Sequence, residues 1–168
     1  EEAVSIERAT SEGLALFADK GGGEQHRYVL YDPKKLIDSV KSGDESDAID
    51  CIVAMMITKK MEKAWHASEV ENSAARKGYG PFMYDVVMKL EGGLVSDRTS
   101  VSNDANRVWS YYKKNRSDVE AKPLDNEDLP KTKTELDDAR VFDDGPENPL
   151  NYAYFKKGSD NAGELITQ

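Results

Sequence analysis

The sequence predicts a mixed α/β fold of the α+β kind, a central, twisted, mostly antiparallel sheet with helices on both faces. Three features predict it. Residues 49–58 are the strongest apolar run and are rich in β-branched side chains, the mark of a central strand buried on both faces. Residues 64–71 alternate in the manner of a neighbouring antiparallel strand. A glycine turn then opens into residues 82–91, where Phe82, Met83, Val86, Val87 and Leu90 recur at helical spacing and give one side to the sheet.

The other elements follow in order. Residues 2–10 carry a weak helical pattern on Val4, Ile6 and Ala9. Residues 13–18 and the β-forming run 27–31 read as two strands of a hairpin, joined across Gly21-Gly22-Gly23. Asp32-Pro33 has the form of a helix start, with Asp as cap and Pro in the first turn, and Leu36, Ile37 and Val40 give that helix an apolar side. Residues 42–47 read as a polar loop and residues 59–63 as a charged turn. Gly92-Gly93 closes the long helix, and residues 94–97 form a short strand. Ser100 or Ser102 caps a last helix over residues 103–115, with Val108, Trp109 and Tyr112 inward. Residues 116–150 hold four prolines, many acids and few large apolar side chains, and read as a long loop. Residues 151–157 return as a final strand, and the tail after Gly158 reads as loose.

The chain's 168 residues suffice for one domain with a sizeable core. Net charge is -9, with the acids gathered in residues 118–147. That balance opposes a general nucleic-acid surface, which needs clustered Lys and Arg. The Tyr28, Tyr31, Tyr152 and Tyr154 set lacks the basic interleaving of a base-stacking platform. His26, His66 and Cys51 show no metal-ligand spacing, so no metal is expected. The single cysteine, Cys51, cannot form an internal disulfide and suits a reducing compartment, so the cytoplasm is the expected location. No apolar run approaches the ~20 residues of a membrane span, so no membrane partner is expected. No secretory leader is visible, and the first residue is Glu1 rather than methionine, which leaves a processed start open.

Ala75-Arg76-Lys77-Gly78-Tyr79-Gly80-Pro81 is the most chemically pointed stretch. Glycine reaches φ > 0 and lets the backbone approach an anion closely. The first amides of the following helix then point at that anion, aided by the helix dipole. Two glycines one residue apart, with basic residues before them, suit a phosphate cradle.

The order strand, strand, glycine turn, helix, strand, helix over residues 49–115 resembles the GNAT superfamily of acyl-CoA-dependent N-acyltransferases. The family's turn has the pattern Gln/Arg-x-x-Gly-x-Gly/Ala. Gly78 and Gly80 fill the glycine positions, while Ala75 stands where the family has Gln or Arg. Ser96-Asp97-Arg98, followed by Ser102, Ala105, Val108, Trp109, Tyr111 and Tyr112, is similar to the family's next strand and helix. There a tyrosine often lies beside the cofactor sulfur; here Trp109 takes its place and Tyr111 and Tyr112 follow. Gly-Tyr-Gly-Pro, Ser-Asp-Arg and Val-Trp-Ser-Tyr-Tyr make the segment similar to GNAT-like proteins encoded by bacteriophages, which adds host cytoplasm or virion as possible settings.

The resemblance implies acetyl-CoA as cofactor. Its pantetheine arm would pair with Ser68, Glu69 and Val70 of a splayed strand, and its pyrophosphate would rest on Ala75, Arg76, Lys77, Gly78, Tyr79 and Gly80. Asn103 and Asn106 would touch the pantetheine or adenylate end. A backbone amide near Val70 would polarise the thioester. Glu69 is the first choice for the base that takes the amine's proton, with His66 second; both are expected on one strand, facing opposite sides. Tyr112, then Tyr111, would protonate the leaving thiolate, a task that suits a phenol of pKa ~10. Asp97 and Arg98 are expected to pair locally.

The leading expectation is thus an N-acetyltransferase for a cationic amine, a small molecule or a protein side chain, drawn by the acidic segment. The alternative is a catalytically silent protein of the same fold, a phage structural or accessory protein that binds another protein. Ala75 and Trp109 favour that alternative. A phage enzyme acting on nucleic-acid bases is a third, weaker expectation because of the charge.

Overall fold

The computed structural model describes residues 6–126, 134–142 and 145–157. It is a mixed α/β fold whose seven strands lie in one sheet of order β1-β2-β3-β4-β5-β7-β6. The strands are β1 Ala15–Asp19, β2 Gln25–Tyr31, β3 Ile52–Lys60, β4 Ser68–Ala75, β5 Leu94–Ser96, β6 Val119–Pro123 and β7 Tyr152–Lys156. The helices are α1 Ile6–Ser11, α2 Pro33–Ser42, α3 Glu45–Asp50, α4 Gly80–Glu91 and α5 Asn103–Asn115. β1–β2, β5–β7 and β6–β7 pair antiparallel, while β4–β5 is parallel. The chain forms two compact units, the boundary falling within β3, β4 and α4.

The first unit holds residues 6–57 and 72–87. Its hairpin pairs Ala15 with Tyr31 through to Asp19 with Arg27, turning through the glycines as the sequence suggests. Asp32 caps α2 by accepting from the amides of Lys34 and Lys35 at 3.0 and 3.2 Å, and Gly43 ends it at φ 70. The loop expected at 42–47 shrinks to Gly43 and Asp44, since Ser42 ends α2 and Glu45 starts α3. Asp44 accepts from the amide of Ser46 at 2.9 Å, and Glu45 and Asp47 suit the positive end of that helix. The apolar run at 49–58 starts its strand only at Ile52. β3 alternates buried with half-exposed positions from Val53 to Lys59, so it is not buried on both faces. Cys51, just before it, is a buried free thiol. Leu16, Tyr28, Leu30, Met56, Phe82, Met83, Val86 and Val87 are the large buried side chains of this unit.

The second unit holds residues 58–71 and 88–157 as far as they are described. The expected strand at 64–71 begins only at Ser68. Before it, Ala64, Trp65 and His66 take φ of 55, 56 and 57, a turn of left-handed helix that side chains rarely adopt. Long-range bonds hold it there. Trp65 N–H donates to the Leu136 carbonyl, and its indole Nε1 donates to the Pro123 carbonyl at 2.9 Å. Ala64, Ala67, Val95, Leu124 and Ala153 form a buried cluster behind it. The expected loop at 116–150 contributes β6, paired with β7 from Val119–Lys156 to Pro123–Tyr152. On α5, Ser102 is the cap, accepting from the Ala105 amide at 3.2 Å. The expected loose tail after Gly158 lies outside the described residues.

Candidate functional site

β4, with 8 residues, is longer than its neighbour β5, with 3. Its ladder with β5 contains three pairs, Ser68–Leu94, Glu69–Val95 and Val70–Ser96. The strand then runs on to Ala75, and Asn72, Ser73, Ala74 and Ala75 are all exposed. Ser68, Glu69 and Val70, expected to receive a cofactor arm, already pair with β5. Ser68 is also buried, with its hydroxyl donating to Glu91 at 2.6 Å. The stretch of β4 past the ladder is therefore the part suited to an added strand, a few residues beyond the sequence expectation.

β4 feeds the glycine turn as expected. The Arg76 amide donates to the Val53 carbonyl at 2.8 Å, and the Tyr79 amide closes the turn on the Arg76 carbonyl at 3.0 Å. Gly78 stands at φ 88, a conformation in which other residues are strained. Gly80 opens α4, and a Cβ there would meet nothing within 4 Å. Pro81 brings no amide N–H to the first turn of α4, and the Met83 amide closes on the Tyr79 carbonyl at 3.0 Å.

Two side chains of the turn have other tasks than the expected anion contacts. Arg76 donates to the carbonyls of Ile52 at 3.0 Å and Asp50 at 2.8 Å, with the Asp50 carboxylate 3.7 Å away. Its guanidinium fastens the turn to the start of β3. Tyr79 donates its phenol to Glu12, which also takes Arg8 at 2.9 Å. Burial and the Glu12 carboxylate push the Tyr79 phenol up, while hydrogen bonds from Tyr79 and Arg8 draw the Glu12 carboxyl down. Lys77 is exposed on the same turn. Tyr84 of α4, which the sequence reading assigned no role, lies 3.2 Å from the Ser73 hydroxyl, and burial raises its phenol. Only the helical count from Gly80 would have pointed to it.

The other sequence-selected residues belong to the second unit. Glu69 is half-buried, and its Oε1 accepts the Arg98 amide at 2.7 Å. His66 is exposed on the left-handed turn, so it does not share a strand with Glu69. Tyr112 is in the core. Its ring lies 6.1 Å from Trp109 and 6.0 Å from Tyr154, with the Arg116 guanidinium at 5.4 Å. Trp109 stacks on Tyr154 at 5.4 Å, and both are buried. Packing accounts for Tyr112 and Trp109. Tyr111, about 100° round α5 from Tyr112, is 52% exposed. Asn103 and Asn106 are exposed in the first turn of α5.

Asp97 and Arg98 do not simply pair. Asp97 accepts from the amides of Thr99 and Ser100 at 2.6 and 2.9 Å, shaping the turn after β5. Arg98 reaches into the unit. It donates to the carbonyls of Ser96 at 2.9 Å, Ala139 at 3.1 Å and Leu150 at 2.8 Å, and to the Ser96 hydroxyl, and it lies 5.2 Å above the Phe142 ring. Burial pulls its pKa down to about 10, which leaves it charged near neutrality.

The fold also gathers groups that sequence spacing does not connect. Glu91, buried at the end of α4, accepts hydroxyl bonds from Thr58 at 3.2 Å and Ser68 at 2.6 Å. Asp125, Asp137 and Asp138 each bring one carboxylate oxygen within 4.8 Å of the others, the donor type a hard cation takes. A hydrogen bond that the Asp138 carboxyl donates to Asp125, together with burial, raises the Asp138 carboxyl, and Asp137 accepts from Thr134 at 2.9 Å.

Comparison with protein-family models, with curated proteins and with solved structures found no match for this chain. The class that the structure itself defines is a mixed α/β protein with a parallel β4–β5 pair and a glycine turn between β4 and α4.

Proposed function

We propose that the protein is an acetyl-CoA-dependent N-acyltransferase of the GNAT type. The observation that carries this reading is β4 itself. It leaves its short parallel ladder at Val70, stays exposed through Asn72–Ala75, and ends at a turn with Gly78 in the left-handed region and α4 beginning at Gly80. An extended thioester arm would pair with the strand beyond the ladder, and its pyrophosphate would meet the amides of the turn. With the side chains of Arg76 and Tyr79 otherwise engaged, backbone amides would carry most of the phosphate contact.

In the reaction a substrate amine attacks the thioester carbonyl carbon. The C–S bond breaks, an amide forms, the amine loses a proton and the thiolate gains one. Glu69 is the proposed base, acting through water. Its Oε1 is held by the Arg98 amide, and the other oxygen is left to accept the proton. A backbone amide of β4 past Val70 would polarise the carbonyl. Tyr111, the exposed member of the tyrosine pair, is the proposed acid in place of Tyr112. The acid-rich character of residues 118–147 suits a cationic acceptor.

The test is a calorimetric titration of acetyl-CoA into the purified chain, with Gly78→Trp as control. Binding that the control abolishes supports the reading, and an amine screen that follows release of the CoA thiol then tests transfer. No binding by the folded protein would refute it.

The alternative, a catalytically silent protein that acts by binding another, draws support from the burial of Tyr112 beneath Trp109 and Tyr154. It predicts that acetyl-CoA is never consumed, whatever amine is offered.

A further inference from the structure

A surface helix turns its apolar side to the core. α2 keeps much of that side in water. Leu36 is 38% exposed, Ile37 54% and Val40 75%, and Ile49 of the adjoining α3 is 70% exposed. Beside them lies a groove of about 370 Å³ lined by Phe17, Val29 and Tyr31 of the hairpin and by Leu36 and Ala48 of the helices, with almost no polar surface. All of this belongs to the first unit. Contiguous exposed apolar surface of this kind marks an interaction site.

The charges around it say what fits. α2 carries Lys34, Lys35 and Lys41 against one acid, Asp38. α3 and its cap carry only acids, Asp44, Glu45, Asp47 and Asp50. Asp44 and Asp47 accept local serine bonds, and Asp50 lies 3.7 Å from Arg76. Among the described residues, no ion pair joins the three lysines to these acids. Lys35, Asp47 and Asp50 line a polar cleft with Asp38, Ser39 and Arg76, apart from the apolar groove. A basic helix and an acidic helix thus stand side by side next to the apolar patch, and together they form a self-complementary surface. Under a two-fold axis each copy's α2 meets the other's α3, twice.

We propose that this face is a homodimer interface. A second copy of the chain docks on it, with Ile37, Val40 and Ile49 in the dry centre and the α2 lysines opposite the partner copy's α3 acids. The inference is independent of acyl transfer.

Sedimentation velocity on the full chain over a micromolar concentration series tests it. The wild type is expected to dimerise reversibly, less so in high salt. Val40→Asp is expected to weaken association by at least about tenfold. Two charge reversals make the test specific. Lys34→Glu/Lys35→Glu and Glu45→Lys/Asp47→Lys should each be monomeric alone, because like charges then face each other. Mixed, they should form a one-to-one dimer, since both contacts become attractive again. Circular dichroism of each variant checks that it is folded; new acids in the first turn of α2 agree with the helix dipole. A wild type that stays monomeric throughout, or folded variants whose mixture stays monomeric, would overturn the proposal and leave the face to a different partner.

Discussion

Arg98→Met should destabilise the protein by about 4 kcal/mol. The guanidinium donates to three backbone carbonyls, those of Ser96, Ala139 and Leu150, at 2.8 to 3.1 Å. Charge-assisted hydrogen bonds contribute roughly 1.5–3 kcal/mol each, and a carbonyl left without its donor costs roughly 1–3. Removing the cation also removes the cost of burying it, which offsets part of the loss. Breaking such an arrangement from one side typically costs about 3–5 kcal/mol. In a chain of 168 residues that is a fall in Tm of roughly 10 °C. Arg98→Lys keeps the charge but not the planar fork, so one ammonium cannot serve carbonyls that approach from three segments; it should recover less than half of the loss. Chemical denaturation followed by tryptophan fluorescence measures both variants, and Trp65 reports directly because its backbone and indole bonds reach Leu136 and Pro123 in the same unit. A loss below about 1 kcal/mol for Arg98→Met, or a lysine variant as stable as wild type, would refute the view that this fork fastens Ala139 and Leu150 to the end of β5.

Other expectations rest on single contacts. Gly93→Ala should cost about 2–5 kcal/mol by denaturant titration, because its Cβ would lie 2.4 Å from the Phe155 ring at φ 130; Gly92→Ala, at φ 73 with nothing within 4 Å, should cost only about 1–2. Asp118 is held well below the ordinary carboxylate range, chiefly by its hydrogen bond from Arg116 and also by Lys156 at 3.2 Å. A carboxyl depressed in the folded state contributes stability that is present above its unfolded pKa of about 3.9 and lost as pH falls below it. Asp118→Asn should therefore be less stable than wild type at pH 7, by about 1 kcal/mol after solvent screening, and the two should converge in strong acid. If the proposed acyl transfer occurs, Tyr111→Phe should slow it with unchanged stability, whereas Trp109→Ala should cost about 3–5 kcal/mol by removing a buried ring stacked on Tyr154; rate assays and unfolding curves separate the two.

Where a few adjacent residues decide the backbone, the sequence was legible. Asp32-Pro33 and Gly43 bracket α2 because a cap, a fixed φ and a left-handed stop act within a turn of each other. The glycine turn between β4 and α4 was legible for the same reason. The second unit was harder. Ala64-Trp65-His66 has nothing in its composition that calls for left-handed backbone, which costs about 1–2 kcal/mol per residue. It is held by partners at Leu136 and Pro123, far along the chain. The same distance hides β6, whose Val-Glu-Ala-Lys-Pro is poor in strand formers and takes its pairing from β7.

The candidate site divides along the same line. The strand expected at 64–71 exists as an element but is displaced along the chain to Ser68–Ala75, and the end of its ladder depends on the shortness of β5, which residues 64–75 do not encode. Arg76 and Tyr79 were chosen for their charge and position beside the glycines. Whether a cation there faces an anion or a carbonyl depends on what the fold brings near. Here the fold brings Asp50, Ile52 and Glu12. A phosphate on this turn would therefore be recognised by backbone more than by side chains. That agrees with Ala75 at the position where the family pattern has Gln or Arg, since amide recognition does not need that side chain. If acetyl-CoA binds, its affinity should then respond strongly to Gly78→Trp, which obstructs the backbone, and only weakly to Lys77→Ala, which removes one exposed charge.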